Sequence, residues 1–399
     1  MTSRLEELIA ELCPNGVEYK KIGDVADVKT GKSNGNEAEE DGLYPFFVRS
    51  ENIKRKNDWE YDEEAIIIPG EGGIGDIYHY IKGKYALHQR VYRVHFEEPI
   101  VNTRFAYYYF KSNFKRFIIR KAVSATVTSI RKPMIEDFEI PVPPLDVQAE
   151  IVRILDTFTE LTAELTAELT ARKKQYEYYR DTLLTFNDNN PLRLLIQRYC
   201  PNGVEYKKTS DLVRMSFWLM PATPRFMEDG IPYITSKNVK NGVINFESAK
   251  YIDCEDFAEI SKNRPICEGD MLITMIGTIG EVAIVKGNTK FYGQNLYLLR
   301  FDKTKIITKY YYYFITSEKI RNSIINRKNP ASQGYIKAGN IENLQIPVPP
   351  LEVQRQIVQI LDRFDALCND LTQGLPAEIE ARRKQYEYYR DQLLTFKRA

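Results

Sequence analysis

The chain has 399 residues, enough for two domains with their own cores, and its 43% hydrophobic and 28% charged residues are ordinary for a globular protein. Its formal net charge of +1 means that any binding of nucleic acid would depend on local basic surfaces and not on the overall charge. No long apolar run is present, the N-terminal stretch is acidic and amphipathic, and the five cysteines show no CxxC spacing. We therefore expect a cytoplasmic protein without a membrane span, signal peptide, zinc site or disulfide framework.

The chain contains one pattern twice. Three motifs recur in the same order: CPNGVEYKK from Cys13 and Cys200, IPVPPL from Ile140 and Ile346, and a helical QYEYYRD motif followed by LLTF, at Arg172–Phe186 and Arg382–Phe396. Such similarity over long spans indicates a duplicated unit. We predict four segments in chain order: a first domain at 1–139, a first spacer helix at 140–187, a second domain at 188–345 and a second spacer helix at 346–399.

The two predicted domains are mostly β-structure after a short helical start. Residues 1–12 predict a helix, because their leucines and isoleucine fall on one face. In each CPNGVEYKK copy, Pro-Asn-Gly predicts a turn that leads into a strand. Short apolar runs such as Ala65–Ile68 and Met271–Thr274 predict strands.

Two features of these domains have both a functional and a structural interpretation. The tyrosine runs Tyr107–Tyr109 and Tyr310–Tyr313 could stack on bases, but an amphipathic helix packed on a sheet is the favoured interpretation. The glycine-rich stretch Gly70–Asp76 has neither the lysine spacing of a phosphate-binding loop nor a dinucleotide-binding context, and so predicts a tight turn.

The spacer segments predict long helices that pair with each other. Apolar residues recur in steps of three and four from Ile154 to Phe186 and from Ile360 to Phe396, as in a coiled coil. Two matching helices in one chain are expected to pair in antiparallel fashion. Gly374 and Pro376 predict a kink or break in the second helix. Together the segments predict an α+β fold, in which two mixed α/β domains are separated by two long helices.

No convincing catalytic site is visible. All three histidines lie in the first domain without counterparts in the second, and nucleophile-elbow, phosphate-loop and HExxH motifs are missing. The nearest approaches to an Asn/Asp-Pro-Pro-aromatic tetrapeptide, at Asn189–Leu192 and Lys328–Ala331, fail at the third position. These observations favour a binding protein.

The repeated IPVPPL and QYEYYRD–LLTF motifs resemble those of the specificity subunit of a type I restriction–modification enzyme, over essentially the whole chain. The tandem TAEL units Thr162–Leu165 and Thr166–Leu169 resemble the IC branch of that family. The resemblance implies a non-catalytic subunit whose domains are target-recognition domains, each reading one half of a split sequence in double-stranded DNA. It also implies spacer helices that dock two methyltransferase (modification) subunits, through which restriction/helicase subunits join. S-adenosylmethionine, ATP and Mg would then belong to those partners.

Residue types suited to contacting base edges and phosphates occupy three corresponding places in each domain. The candidate DNA-binding residues are Arg49, Ser50, Asn52, His88, Gln89, Arg90, Thr126, Thr128, Arg131 and Lys132 in the first domain, and Lys237, Asn238, Gln294, Asn295, Ser332, Gln333, Tyr335 and Lys337 in the second. Aromatic residues and arginine are favoured interface anchors. The candidate partner-docking residues are therefore Tyr176, Tyr178, Tyr179, Arg180, Tyr386, Tyr388, Tyr389 and Arg390.

Two alternatives remain open at this stage: a coiled-coil scaffold whose domains bind proteins, and a free-standing DNA-binding protein without restriction partners. The duplicated polar and basic loops favour DNA over protein. Neighbouring methyltransferase and helicase reading frames would separate the specificity subunit from the free-standing protein.

Overall fold

The computed structural model describes residues 3–97, 99–121, 129–221, 224–287, 290–326, 334–370 and 372–399. The chain divides into two compact units, one formed by Met1–Thr166 with Glu378–Ala399 and the other by Ala167–Ala377. Each unit therefore contains a globular part, the beginning of one spacer segment and the end of the other. Among the described residues, no helix is long and apolar enough to cross a membrane.

The first unit is built on a six-stranded sheet. Its elements before the second unit are α1 Ser3–Leu12, β1 Tyr19–Lys21, α2 Ile22–Val25, β2 Asp27–Thr30, β3 Tyr44–Phe47, β4 Lys54–Lys56, β5 Tyr61–Pro69, β6 His79–Leu87, β7 Val91–His95, α3 Thr103–Lys121, α4 Lys132–Glu136, β8 Glu139–Pro141 and α5 Leu145–Leu183. The sheet has the order β2-β7-β5-β6-β3-β4, with β3 parallel to β6 and the other pairs antiparallel. Because side chains alternate along a strand, Ile66 and Ile68 pack with α3 on one face while Ala65 and Ile67 join a second cluster.

The second unit repeats this plan with smaller sheets. Its elements are α6 Arg193–Tyr199, β9 Tyr206–Lys208, β10 Val213–Leu219, β11 Phe226–Met227, β12 Ile231–Ile234, β13 Val239–Lys240, β14 Val243–Ile244, β15 Lys250–Ile252, α7 Cys254–Ser261, β16 Met271–Thr274, β17 Val282–Ile284, β18 Tyr292–Gly293, β19 Leu296–Phe301, α8 Thr308–Ile315, α9 Glu318–Asn326, α10 Ala338–Glu342, β20 Gln345–Pro347 and α11 Leu351–Asn369, and the end of α5 from Ala167 onward also belongs to it. Helix α12 Leu375–Leu393 follows and belongs to the first unit from Glu378 onward. Its larger sheets have the orders β10-β19-β16-β17 and β11-β15-β12-β18. Strand β16 is buried on both faces, as β5 is.

The two repeated motifs that flank each domain lie side by side. In the first unit β1 pairs antiparallel with β8, so that Lys20 of CPNGVEYKK lies opposite Ile140 of IPVPPL. In the second unit β9 and β20 pair in the same way, with Lys207 opposite Ile346. The chain therefore enters and leaves each globular part at one two-stranded ribbon.

The spacer segments differ in continuity. Helix α5 runs for 39 residues, about 58 Å, without interruption through both TAEL units. The second segment is broken: α11 ends at Asn369 and α12 begins at Leu375. The N–H of Gly374 donates to the carbonyl of Asp370 (3.1 Å), and Pro376 lies in the first turn of α12, where its missing N–H costs no hydrogen bond. The predicted break at Gly374–Pro376 is thus confirmed.

Helical segments pair within each unit, and the tyrosine runs pack beneath them. The ring of Phe158 stacks on Tyr389 in the first unit, and Phe364 stacks on Tyr179 in the second. The hydroxyls of Tyr108 and Tyr313 donate to Asp156 and Asp362 on the adjoining helix, each at 2.5 Å. The predicted helical pairing and the packing interpretation of the tyrosine runs are both confirmed.

Candidate nucleic-acid interface

The glycine-rich turn of the first unit brings together three loops that are far apart in sequence. The N–H of Gly70 donates to the carbonyl of Arg90 (3.0 Å), and the N–H of Ile130 donates to the carbonyl of Gly70 (2.8 Å). At Gly72 (φ +84°) a Cβ would lie 2.5 Å from the carbonyl oxygen of Arg49, so only glycine permits this approach. The loops after β3, after β6 and before α4 therefore converge on this turn.

The second unit brings together the corresponding loops in the same way. The N–H of Met275 donates to the carbonyl of Asn295 (3.4 Å), and the N–H of Ile336 donates to the carbonyl of Met275 (3.0 Å). At Gly277 (φ +79°) a Cβ would lie 3.2 Å from the hydroxyl of Ser236. The described members of the three candidate clusters predicted in each domain thus lie on neighbouring loops in each unit.

An ion cluster joins two of these loops in the first unit. The Nη1 atom of Arg90 lies 2.8 and 3.0 Å from the two carboxylate oxygens of Glu71, and Nη1 of Arg49 lies 3.0 Å from one of them. Hydrogen bonds from Arg49 and then Arg90 lower the pKa of Glu71, so its carboxylate is ionised at neutral pH. Ile276 occupies the corresponding position after β16.

Of the predicted DNA-binding residues of the first unit that the structure describes, all but one are exposed. Exposed side chains are those of Arg49, Ser50, Asn52, Gln89, Arg90, Arg131 and Lys132. His88 is only 6% exposed, and its Nδ1 accepts from the N–H of Arg90 (3.0 Å). Burial, with the nearby charges of Arg49 and Arg90, lowers the pKa of His88. His88 therefore orders the turn as a neutral ring, and its direct contact with DNA stays a prediction.

The predicted DNA-binding residues of the second unit also include both exposed and buried side chains. Lys237, Tyr335 and Lys337 are exposed, while Gln294 and Asn295 are half-buried. Asn238 is 4% exposed; its side chain accepts from the N–H of Thr235 (2.9 Å) and donates to the carbonyl of Asn245 (3.0 Å). Both ends of its amide are therefore hydrogen-bonded inside the loop, and its DNA contact stays a prediction.

Four predicted residues lie outside the described part of the chain, and one residue of the site, Glu71, was not predicted. Four candidates lie outside the described residues: Thr126, Thr128, Ser332 and Gln333. Glu71 is not among the predicted residues, because the glycine-rich stretch predicts only a turn. The available signal was an acidic residue placed among glycines directly after a buried strand.

The predicted docking residues divide into buried and exposed positions. Tyr178 and Tyr388 occupy the same place in the two copies of the helical motif and are 67% and 60% exposed. Tyr179, Tyr389, Tyr386 and Arg390 are half-buried. Tyr176 and Arg180 are each 8% exposed and pack in the second unit, and their role in docking stays a prediction.

Within the ranges that the structure describes, no group of His, Cys, Asp and Glu side chains could hold a metal ion. The fold and the converging loops define a duplicated protein with two equivalent polar surfaces. The family model for the type I restriction modification DNA specificity domain matches residues 14–172 and 201–381.

Relatives and solved structures agree with that match. A type I restriction enzyme specificity subunit of Haemophilus influenzae is 32% identical over 95% of this chain and 96% of its own. The EcoR124I/EcoR124II specificity subunit of Escherichia coli is 36% identical over 65% of this chain and 63% of its own. The type I restriction–modification S subunit of M. genitalium has a similar fold, with a TM-score of 0.62 over 96% of this chain and 97% of its own, at 15% identity.

The chain therefore belongs to the type I restriction–modification DNA specificity family, and it carries two copies of the family's domain. This membership bears out the resemblance drawn from the repeated motifs. The two copies match recognition of a DNA sequence in two parts.

Proposed function

We propose that this protein is the non-catalytic DNA-recognition subunit of a type I restriction–modification complex, in which each unit reads one half of a bipartite target. The observation that carries the proposal is the duplicated convergence of three polar loops on the turn after β5 and after β16. Exposed arginine and lysine side chains on these loops suit contacts with phosphates and base edges, although the whole chain is nearly neutral.

The complex would contain two modification subunits that dock on the spacer helices and restriction/helicase subunits that join through them, in the cytoplasm. The exposed Tyr178 and Tyr388 support docking at two equivalent places. S-adenosylmethionine, ATP and Mg would be bound by these partners. The isolated chain is then expected to transfer no methyl group to DNA, and methyl transfer by the homogeneous protein would contradict the proposal.

An exchange of one domain tests whether the two units read DNA independently. Residues 22–138 are replaced by those of a relative with a different target, which keeps β1 and β8 and their pairing. The protein is co-expressed with its modification subunits, and methylated adenines are mapped across the genome. We expect one half of the target to change and the other half and the spacing to stay; a change in both halves would contradict the proposal.

Docking is tested separately. Tyr178→Ala and Tyr388→Ala are expected to weaken co-purification with the modification subunits while leaving the unfolding midpoint unchanged. Tyr206→Ala is the matched control, since Tyr206 is 57% exposed but lies outside the helical motif. Equal co-purification of all three variants would contradict docking at these tyrosines.

A further inference from the structure

The ion cluster of the first unit joins side chains from three separate stretches of chain. Glu71 follows β5, Arg49 follows β3, and Arg90 precedes β7. The carboxylate of Glu71 contacts both guanidinium groups at 2.8 to 3.0 Å. All three side chains are partly exposed, at 32% for Glu71, 50% for Arg49 and 57% for Arg90. The cluster therefore lies at the surface, where the three loops converge.

Folding does not require this cluster. Ion pairs at exposed positions contribute little to stability. The second unit builds the same convergence of loops with Ile276, Ser236 and Asn295 in the corresponding places, and so without any charge there. Stabilising the loops therefore does not explain why the first unit has three charged side chains at these positions.

Each of the two arginines uses only part of its guanidinium group to contact Glu71. Each contacts Glu71 through Nη1, and the Nε and Nη2 atoms of both form no hydrogen bond with any part of the chain that the structure describes. These two atoms present parallel N–H groups on one edge of a rigid planar group. That edge matches the O6 and N7 acceptors that guanine presents in the major groove.

We propose that Arg49 and Arg90 read guanine bases in the half-site bound by the first unit, and that Glu71 is the positioning residue that fixes the direction of both guanidinium groups. This inference rests on the proposed function and names the base that these side chains recognise. Because the second unit lacks the cluster, its half-site is read by different means.

The test uses the complex of this protein with its modification subunits and duplexes that carry the mapped target. Each guanine of the first half-site is replaced in turn by 7-deazaguanine, which lacks the N7 acceptor. For the unaltered protein, the dissociation constant is expected to rise about two- to twelve-fold at the guanines that are read. This is half of the free energy of one bidentate contact, because N7 accepts only one of its two hydrogen bonds. Arg49→Ala and Arg90→Ala each remove one guanidinium group, so each is expected to abolish this increase at one guanine. Alanine is used because a lysine ammonium could also donate to O6 and N7.

Glu71→Gln is expected to reduce the 7-deazaguanine effect at both guanines, whereas Asp76→Asn is the matched control. Asp76 lies in the same turn and forms an exposed ion pair with Lys115 (2.5 Å) that joins no reading loop. Both substitutions remove one negative charge, so a long-range electrostatic effect would change binding to all duplexes equally. Only a positioning role predicts that the two variants differ.

Several results would overturn the inference while leaving the proposed function intact. They are a first half-site without guanine, an unchanged 7-deazaguanine effect in the alanine variants, or equal behaviour of Glu71→Gln and Asp76→Asn. The alternative is that Arg90 contacts only a phosphate. In that case Arg90→Gln would reduce the slope of log affinity against log salt concentration by about one. Failure of the unaltered complex to distinguish its target from other DNA would overturn the proposed function itself.

Discussion

The rings of Phe158 and Tyr389 stack with centroids 5.6 Å apart and planes at 24°, and this contact joins α5 to α12 within the first unit. Tyr179 and Phe364 stack at 5.2 Å and 25° in the second unit. In both, a phenylalanine from the beginning of one spacer segment meets the third tyrosine of the other segment's QYEYYRD motif. The duplication therefore preserves an interhelical contact as well as the two sequences that form it.

Replacing Phe158 by alanine is expected to lower the free energy of unfolding by roughly 1.5 to 3 kcal/mol. This is less than the roughly 3 to 5 kcal/mol of a fully buried phenylalanine, because Phe158 is half-buried. Leu161→Ala is the control on the same helix, since Leu161 is 41% exposed. Urea unfolding measures both, and equal effects would show that the stacked pair does not stabilise the helices.

A buried glutamine attaches each spacer segment to its globular part. The side chain of Gln148 accepts from the N–H of Asn102 (2.7 Å) and donates to the carbonyls of Ile100 (2.8 Å) and Pro143 (2.7 Å). Gln354 makes the equivalent three hydrogen bonds in the second unit. Both side chains are fully buried.

Gln148→Leu leaves three backbone groups without partners and is expected to cost roughly 2 to 5 kcal/mol of the free energy of unfolding. Below the pKa of its carboxyl, the side chain of Gln148→Glu keeps the acceptor and donates one O–H hydrogen bond, so this variant is expected to cost less than the leucine variant. Denaturant unfolding checks this order. A leucine variant as stable as the unaltered protein would contradict the role of these bonds.

Two equivalent glycines provide a matched pair of substitutions. Gly16 (φ +102°) and Gly203 (φ +89°) occupy the same place in the two CPNGVEYKK copies. A Cβ at Gly16 would lie 2.7 Å from the carbonyl oxygen of Lys397, which accepts from the N–H of Val17, whereas a Cβ at Gly203 meets nothing within 4 Å.

Gly203→Ala is expected to cost about 1 to 2 kcal/mol, from the backbone conformation alone. Gly16→Ala is expected to cost more and to speed hydrogen exchange at the amide of Val17, because the residues around Lys397 must move. Equal unfolding midpoints for the two variants would mean that the pairing of Val17 with Lys397 contributes nothing.

Two histidines make stability depend on pH. Burial lowers the pKa of His79 and of His88 in the folded protein, so the unfolded chain takes up protons that the folded chain does not. The free energy of unfolding should therefore fall as pH drops below about 6.5, the unfolded pKa, by up to about 1.4 kcal/mol per pH unit for each histidine. The loss ends below the folded pKa values. The control is the double variant His79→Gln, His88→Gln, in which the carboxylates still titrate. The difference in the free energy of unfolding between the unaltered protein and this variant should depend on pH, and a pH-independent difference would contradict the prediction.

The TAEL units lie within the continuous helix α5, and we expect them to set the spacing between half-sites. Deleting Thr166–Leu169 removes about 6 Å of helix with a net rotation of about 40°. One base pair of DNA rises about 3.4 Å and turns about 34 to 36°. If the helix follows the DNA axis, the rotation matches one base pair, so the mapped target should lose one base pair of spacer and keep both half-sites. An unchanged spacer would mean that these units do not set the distance.

The sequence by itself determined the features that depend on local patterns. The repeated motifs predicted the duplication, the three- and four-residue steps predicted α5 and its pairing, and Gly374 with Pro376 predicted where the second helix breaks. Proline, glycine and apolar periodicity act over a few residues, so their consequences can be derived without knowing distant contacts.

Only the tertiary structure decided which side chains meet and which are buried. Arg49, Glu71 and Arg90 come together because β3, β5, β6 and β7 lie in one sheet and because glycine allows close approach at the turn. The polarity of His88 and Asn238 predicted surface contacts, yet both are buried and hydrogen-bonded within their own loops. The residue type determines which polar groups a side chain has. The packing of distant segments determines whether those groups face solvent or form hydrogen bonds within the protein.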